Sequence, residues 1–186
     1  GEAYDANITP KETDGVELLD FDQSLLIKHE IDPVKELDPI PILEVLKDDE
    51  GYTVYDFGQN IAGYVSIELS GDKGSKILIE HSEVLGLSKK DQQENKCNHF
   101  ENANFRSALA KIEYTLNGSG NEKYKPHFTF MGFRYARIKV LSGNVDVKSI
   151  TSIPISSLYE QKLQYQSSNK NVNKPVSYTH LRAHET

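Results

Sequence analysis

One motif in this 186-residue sequence combines an acid, two amides and nearby glycines, which are residue types that could orient sugar hydroxyl groups. Asp56, Gln59 and Asn60 lie around Gly58 and just before Gly63. Carboxylates and amides supply donors and acceptors that match neutral hydroxyls. The alternative is a turn between two strands, in which Gly58 supplies an unusual φ and the polar side chains bond to their own backbone. We favour the turn.

A second pair, His81 and Glu83, is spaced for acid and base chemistry. Two residues apart on a strand, both side chains project from one face. Ile77 and Ile79 have the same parity, so that face is apolar. We therefore predict that His81 is half-buried and satisfied by a hydrogen bond.

Pairs of carboxyl groups matter because a glycosidase needs two of them across one scissile bond. Glu80 with Glu83, or Glu94 with Glu101, could form such a pair. They lie on a strand or in a polar loop without a rigid partner, which favours charges on a solvated surface. We predict no catalytic residue in this chain.

Two arginines lie close to aromatic residues, an arrangement that could stack on bases or contact phosphate. Arg134 and Arg137 flank Tyr135. Strand alternation predicts that Arg134 lies among apolar side chains such as Ile138 and needs a buried partner, whereas Arg137 lies beside the aromatics. The net charge of −7 argues against a nucleic-acid partner.

Metal binding is suggested only near the C-terminus. His180 and His184 are four residues apart, which on a helix places two imidazoles on one face, and Glu185 could add an oxygen. Because Cys97 is the single cysteine, a thiolate zinc cluster and an intrachain disulfide are excluded. The cysteine count does not indicate whether the protein is cytoplasmic or secreted. We expect no metal and no cofactor.

The elements that carry these residues are short segments of alternating apolar and polar residues bounded by turn residues, which is typical of strands exposed on one face. They cover residues 42–46, 53–57, 64–69, 76–84, 110–116, 127–130, 133–140 and 145–154. The pattern predicts an all-β fold, an antiparallel β-sandwich or jelly roll. No apolar run is long enough to cross a membrane, so no membrane partner is expected. The side chains predicted to point inward are Ile67, Ile79, Ile112, Tyr114, Phe133 and Ile138.

The segments outside this pattern differ in composition. Frequent turn residues make residues 1–41 an irregular N-terminal segment. The first 50 residues hold 15 of the 28 acidic residues but four of the 21 basic ones, which indicates two structural parts. Residues 86–107 form a long polar stretch, of a kind that is usually functional or disordered.

Three phrases carry a resemblance to a known family. Residues 55–65 (YDFGQNIAGYV), 81–85 (HSEVL) and 127–135 (HFTFMGFRY) resemble, in this order, the concanavalin-like β-sandwich module of bacterial α-L-rhamnosidases. Shorter likenesses are found at residues 1–6, 104–108 and 114–116, and together they cover about residues 1–174. Tyr64 stands where the family usually has Trp, an exchange of one large aromatic for another.

The resemblance implies a division of the chain. Residues 1–43 would be the remnant of a preceding β domain with its linker, and residues 44–155 the sandwich module. Residues 156–174 would lead into an (α/α)6 catalytic barrel. The last twelve residues, 175–186, resemble a translated sequencing-adapter read-through of the kind found on metagenomic proteins. We predict that this tail, with its two histidines, is artefactual and disordered.

The resemblance also implies a function. The parent would hydrolyse terminal α-L-rhamnosides with inversion, and the missing barrel would carry the catalytic acids. This chain would then be a non-catalytic module with that barrel, and carbohydrate, as its partners. The alternatives are a stand-alone carbohydrate-binding module and a structural spacer. The residues carried over as family markers, or as sugar or interface contacts, are Asp56, Gln59, Asn60, His81, Glu83, Arg106 and Arg134.

Overall fold

Strands are the main regular structure of the chain in the computed structural model, which describes residues 1–9, 15–87, 97–157 and 167–169. Two short 3-10 helices, Gln23–Leu25 and Ala103–Phe105, are the helical elements of these ranges. Within them, no helix is long and apolar enough to cross a membrane. The expected all-β fold is confirmed. The strands are β1 Glu2–Asp5, β2 Lys35–Glu36, β3 Glu44–Lys47, β4 Thr53–Gly71, β5 Lys76–Ser82, β6 Leu85–Gly86, β7 His99–Phe100, β8 Lys111–Thr115, β9 Glu122–Tyr124, β10 Met131–Ser142 and β11 Val145–Ser156.

The chain divides into two compact units. The first comprises Gly1–Thr9 and Leu37–Pro154 and contains the main sheet. In the second, β2 pairs antiparallel with the last two residues of β11. The placement of Gly1–Thr9 in the first unit was not anticipated from the sequence, and the boundaries proposed at residues 43, 155 and 174 stay predictions.

The long strand β4 connects the two layers of the sandwich. Its first half pairs with β3 and β10, and its second half pairs with β9 and β11. Beyond β10 the sheet continues through β5 and β8 to β1. The strand pairs are antiparallel except that β1 is parallel to β8. One curled sheet thus encloses a single main core.

The main core consists of inward side chains from strands of both layers. In β4, Val65, Ile67 and Leu69 are buried, because alternate residues of a strand face the same side. The polar Ser66 and Glu68 between them are partly exposed. The prediction of inward-facing residues is confirmed, since all six are buried: Ile67, Ile79, Ile112, Tyr114, Phe133 and Ile138.

A smaller apolar cluster lies on the opposite face of β4 and β10. It joins Val54, Tyr135 and Phe100, with Leu46 and Leu85 packed against it. Phe100 belongs to the ribbon formed by β6 and β7, which lies within the long polar stretch of the sequence. That stretch therefore contains regular structure, while residues 88–96, with Glu94, lie outside the described residues.

Several predicted strands differ from the observed ones. Residues 53–57 and 64–69 belong to one continuous strand, and residues 127–130 form no strand. The short strands β1 and β9 were not predicted, because neither is long enough to show alternation. His180, His184 and Glu185, which were considered as metal ligands, lie outside the described residues, as does the whole predicted tail.

Candidate functional site

A bulge in β4 shapes the region where the family motifs meet. Along β10, Phe133 pairs with Ile61, but Tyr135 already pairs with Asp56. Four residues of β4 therefore lie opposite the single residue Arg134. Extra residues of this kind leave the ladder and re-aim side chains without ending the strand. The predicted turn is thus wrong, because strand pairing continues on both sides of the bulge.

Gly58 provides the backbone conformation that the bulge requires. Its φ of 81° confirms the predicted unusual φ, which a side chain would strain. Its N–H donates to the Asp56 Oδ1 atom at 2.6 Å, so the motif also bonds to its own backbone, as expected. A Cβ at this position would lie 3.1 Å from Leu43 Cδ2. The glycine therefore serves both the conformation and the packing.

Asp56 and Arg134 form a bidentate ion pair across the bulge. Arg134 donates from Nε to Oδ1 and from Nη2 to Oδ2, both at 2.8 Å. Asp56 is only 4% exposed. Burial raises its pKa, but the bonds from Arg134 and Gly58 and the charge of Arg134 outweigh burial, so the pKa lies below its usual value. The predicted need of Arg134 for a buried partner is confirmed.

The predicted position of Arg134 among the apolar side chains of its strand is wrong. Phe133 and Ala136 both face the main core, so the alternation breaks between them. The physical cause is the bulge, at which Arg134 lies with its guanidinium 5.0 Å from the centre of the Tyr135 ring. The side chain thus reaches Asp56 instead of entering the core.

Asn60 and Glu83 connect two of the family phrases. The Asn60 Nδ2 atom donates to Glu83 Oε1 at 3.0 Å. A Cβ on Gly132 would lie 3.2 Å from the same oxygen, so the third phrase approaches this carboxylate closely too. Gln59 lies in the bulge and is half-buried. The three phrases therefore meet around the bulge, although they are far apart in sequence.

His81 is a core residue. It is 1% exposed, its Nδ1 donates to the Ala110 carbonyl at 2.9 Å, and its ring packs edge-on against Phe133. Burial lowers the pKa of His81 to about 4, so the imidazole is neutral at pH 7. Nε2 is buried without a hydrogen-bond partner in the described structure. The predicted hydrogen bond is confirmed, but His81 is fully buried rather than half-buried and does not pair with Glu83.

Glu80 belongs to a buried ion cluster on the opposite face of β5. Arg137 lies opposite Glu80 on the neighbouring strand β10. It donates from Nη2 to Glu80 Oε2 and from Nη1 to Asp48 Oδ2, both at 2.7 Å. Lys139 Nζ also lies 3.2 Å from Glu80 Oε2. The guanidinium is 4.3 Å from the Phe100 ring centre, as expected for an arginine beside aromatics. Glu80 is only 3% exposed, so the predicted solvated charge is wrong.

Arg106 lies apart from this cluster, and its side chain is exposed. It ends the 3-10 helix with a φ of 53°, and Ala110 has a φ of 41°. Both values lie in the left-handed region, which is costly for residues other than glycine. Glu101 Oε1 accepts the Ala103 N–H at 2.8 Å and so fixes the start of the same helix.

The acids of the site hold strands together. Bonds to arginine and to backbone N–H groups give Asp56 a pKa below its usual value. Burial raises the pKa of Glu80, but Arg137 and Lys139 together lower it by more than burial raises it, so the pKa lies below its usual value. A general acid at neutral pH needs the opposite direction. Neither group is suited to protonate a leaving group.

The fold and the site define a β-sandwich module in which the motif acid Asp56 is built into the sheet and Glu83 is bonded beside it. The profile of the bacterial alpha-L-rhamnosidase concanavalin-like domain matches residues 46–156. The chain belongs to this family.

Known relatives are much longer proteins. An α-L-rhamnosidase of Streptomyces avermitilis is 36% identical over 165 residues, covering 81% of this chain and 15% of its own length. An α-L-rhamnosidase of Formosa agariphila is 30% identical over 146 residues, covering 78% of this chain and 15% of its own length. The crystal structure of an Aspergillus terreus α-L-rhamnosidase matches with a TM-score of 0.69 and 29% identity, covering 84% of this chain and 17% of that one. The chain spans about 15% of the curated relatives it matches.

Proposed function

We propose that this chain is a non-catalytic β-sandwich module of an α-L-rhamnosidase, whose catalytic groups lie elsewhere in the longer polypeptide. The observation that carries the proposal is how the candidate acids of this chain are bonded. Asp56 is held by Arg134, Glu80 by Arg137 and Glu83 by Asn60. Hydrolysis with inversion needs one protonated acid and one base across an open cleft. Asp56 and Glu80 are ion-paired within the sheet, and Glu83 is bonded to an amide just beyond β5, so these acids do not provide that arrangement.

The test is hydrolysis of p-nitrophenyl α-L-rhamnopyranoside by the 186-residue chain. We expect no turnover above the uncatalysed rate at any pH between 4 and 8. The matched variant is Glu83→Gln, which keeps the bond to Asn60 possible but removes the carboxylate. Turnover by the wild-type chain that this variant abolishes would overturn the proposal, because it would place a catalytic acid in the sandwich.

We propose that the second unit packs against a part of the longer polypeptide that lies outside these 186 residues. Between residues 16 and 34 the apolar side chains are largely exposed, including Leu18 at 93% and Ile27 at 87%. Many exposed apolar side chains in one segment are typical of an interface. Leu18→Ser and Ile27→Ser should therefore leave the unfolding free energy of the isolated chain within about 0.5 kcal/mol and reduce binding of a hydrophobic dye. A loss of about 2 kcal/mol or more would show that these residues belong to a core of this chain.

A further inference from the structure

A cavity of about 400 Å³ lies beside the main sheet of the first unit, between β1, β9 and the loop that precedes β9. We propose that this cavity binds one neutral pyranose ring of a carbohydrate. The proposal concerns residues outside the family motifs around the bulge. It does not depend on the proposed non-catalytic role, because binding and turnover are measured separately. The residues used in the argument are Tyr4, Asn117, Ser119, Asn121, Tyr124 and His127.

Aromatic rings form the floor and one wall of the cavity. Tyr114 and Tyr124 are buried, with ring centres 4.5 Å apart. Tyr4 packs parallel to Tyr114, with the ring centres 5.9 Å apart, and lies 5.1 Å from the His127 ring. Tyr4 remains 41% exposed. The exposed part of the Tyr4 ring therefore offers one apolar contact for the C–H groups of a pyranose, whose hydroxyls would meet the polar groups of the lining.

Two carboxylates hold the floor rigidly. Glu122 accepts from the Tyr114 hydroxyl at 2.8 Å and from the Asn117 and Gly118 N–H groups at 2.9 Å. Burial, followed by the bond to Glu122, raises the pKa of Tyr114, so its hydroxyl remains a donor. The carboxylate thereby fixes both a floor ring and the start of the loop that borders the cavity.

Glu2 has the equivalent role on the other side. It accepts from the Tyr124 hydroxyl at 2.6 Å and from the His127 and Phe128 N–H groups at 2.9 and 3.0 Å. Burial raises the pKa of Tyr124, and the bond to Glu2 raises it further. A binding surface held in place before the ligand arrives loses less entropy on binding. The two carboxylates thus preorganise the cavity.

The charges around the cavity favour a neutral ligand. Both carboxylates are satisfied by hydroxyl and backbone donors, and Lys123 is paired with Glu68. Lys125 also lines the cavity, and its ammonium lies 6.0 Å from the centre of the Tyr64 ring. The neutral polar groups on the rim are the amides of Asn117 and Asn121 and the hydroxyl of Ser119. Amides and hydroxyls both donate and accept, as sugar hydroxyls do. The lining is thus mostly polar with one exposed tyrosine ring, which suits a hydroxyl-rich ligand, and the volume lies within the range of small-molecule sites.

The experiment is an NMR titration of the isotopically labelled chain with methyl α-L-rhamnopyranoside and methyl α-D-glucopyranoside. D-glucuronate and D-glucosamine serve as charged comparators. We expect saturable shifts at residues 117–127 with at least one neutral pyranoside and a Kd of about 1 mM, which corresponds to about −4 kcal/mol. Tyr4→Ala should weaken this binding at least tenfold, and Asn121→Ala, on the exposed rim, severalfold.

The matched control is Phe130→Ala, which removes an aromatic ring that is 62% exposed but does not line the cavity. It should leave the Kd within twofold, and thermal melting should show that each variant is folded. Because Tyr4 also packs on Tyr114, the Asn121 variant keeps the test valid if Tyr4→Ala unfolds. Three results would each overturn the proposal: no saturable shift with either neutral pyranoside, equal binding by the folded cavity variants and the wild type, or tighter binding of a charged sugar.

Discussion

The buried imidazole of His81 makes the stability of the sandwich depend on pH. Its pKa is about 4 in the folded chain, against an ordinary value of 6.5, and burial is the main cause. The imidazole therefore binds a proton below pH 6.5 in the unfolded chain, but only below about pH 4 in the folded chain. At 1.36 kcal/mol for each pH unit, the full difference amounts to about 3 kcal/mol. Stability due to this group is present above pH 6.5 and is lost as the pH falls towards 4.

The assay is urea unfolding of the wild type and of His81→Asn at intervals from pH 7.5 to 4. Asparagine cannot titrate, and its side-chain amide can still donate to the Ala110 carbonyl. Asp56 and Glu80, whose pKa values are lowered, also lose stabilisation in acid, but they do so in both proteins. We expect the wild type to lose about 2 to 3 kcal/mol more than the variant over this interval.

Parallel pH profiles for the two proteins would refute this reasoning. They would mean that the imidazole binds a proton as readily in the folded chain as in the unfolded one, although it is only 1% exposed. A variant that gained pH dependence relative to the wild type would contradict the sign of the effect.

Three further changes test the packing and the ion pairs. Ile112→Asp would bury an unpaired charge in the main core and should cost several kcal/mol in urea unfolding; a soluble variant with unchanged melting would contradict the core assignment. Arg137→Met would remove the arginine that pairs with the buried Asp48 and would leave Glu80 with the ammonium groups of Lys139 and Lys111; we expect a loss of about 3 kcal/mol, whereas a loss below about 1 kcal/mol would show that the cluster is solvated. For Asp56→Asn and Arg134→Gln, a double-mutant cycle should give a coupling free energy of about 1 kcal/mol. The coupling is expected to be small for a bidentate ion pair because the Arg134 side chain is 36% exposed to solvent. Additive losses would mean that the pair contributes nothing to stability.

Local patterns in the sequence predicted the class of fold and much of its core. In β8, Ile112 and Tyr114 alternate with charged residues, and both are buried as expected. Alternation is a property of neighbouring residues with a period of two, so it can be detected without knowing which strands pair. The three motif phrases identified the family for the same reason, because each is a short continuous run.

The tertiary structure decided which side chains meet. Glu80 and Arg137 are 57 residues apart, Asp56 and Arg134 78, and Glu2 and Tyr124 122. Their contacts depend on strand order, on register and on a bulge, and a shift of one residue exchanges the two faces of a strand. Nothing in the local sequence fixes these quantities, since they result from the burial of the whole core. The sequence by itself therefore determined the class of fold, most of the long strands and the family, whereas the partners of its charged residues and the cavity beside β9 exist only once those strands have paired.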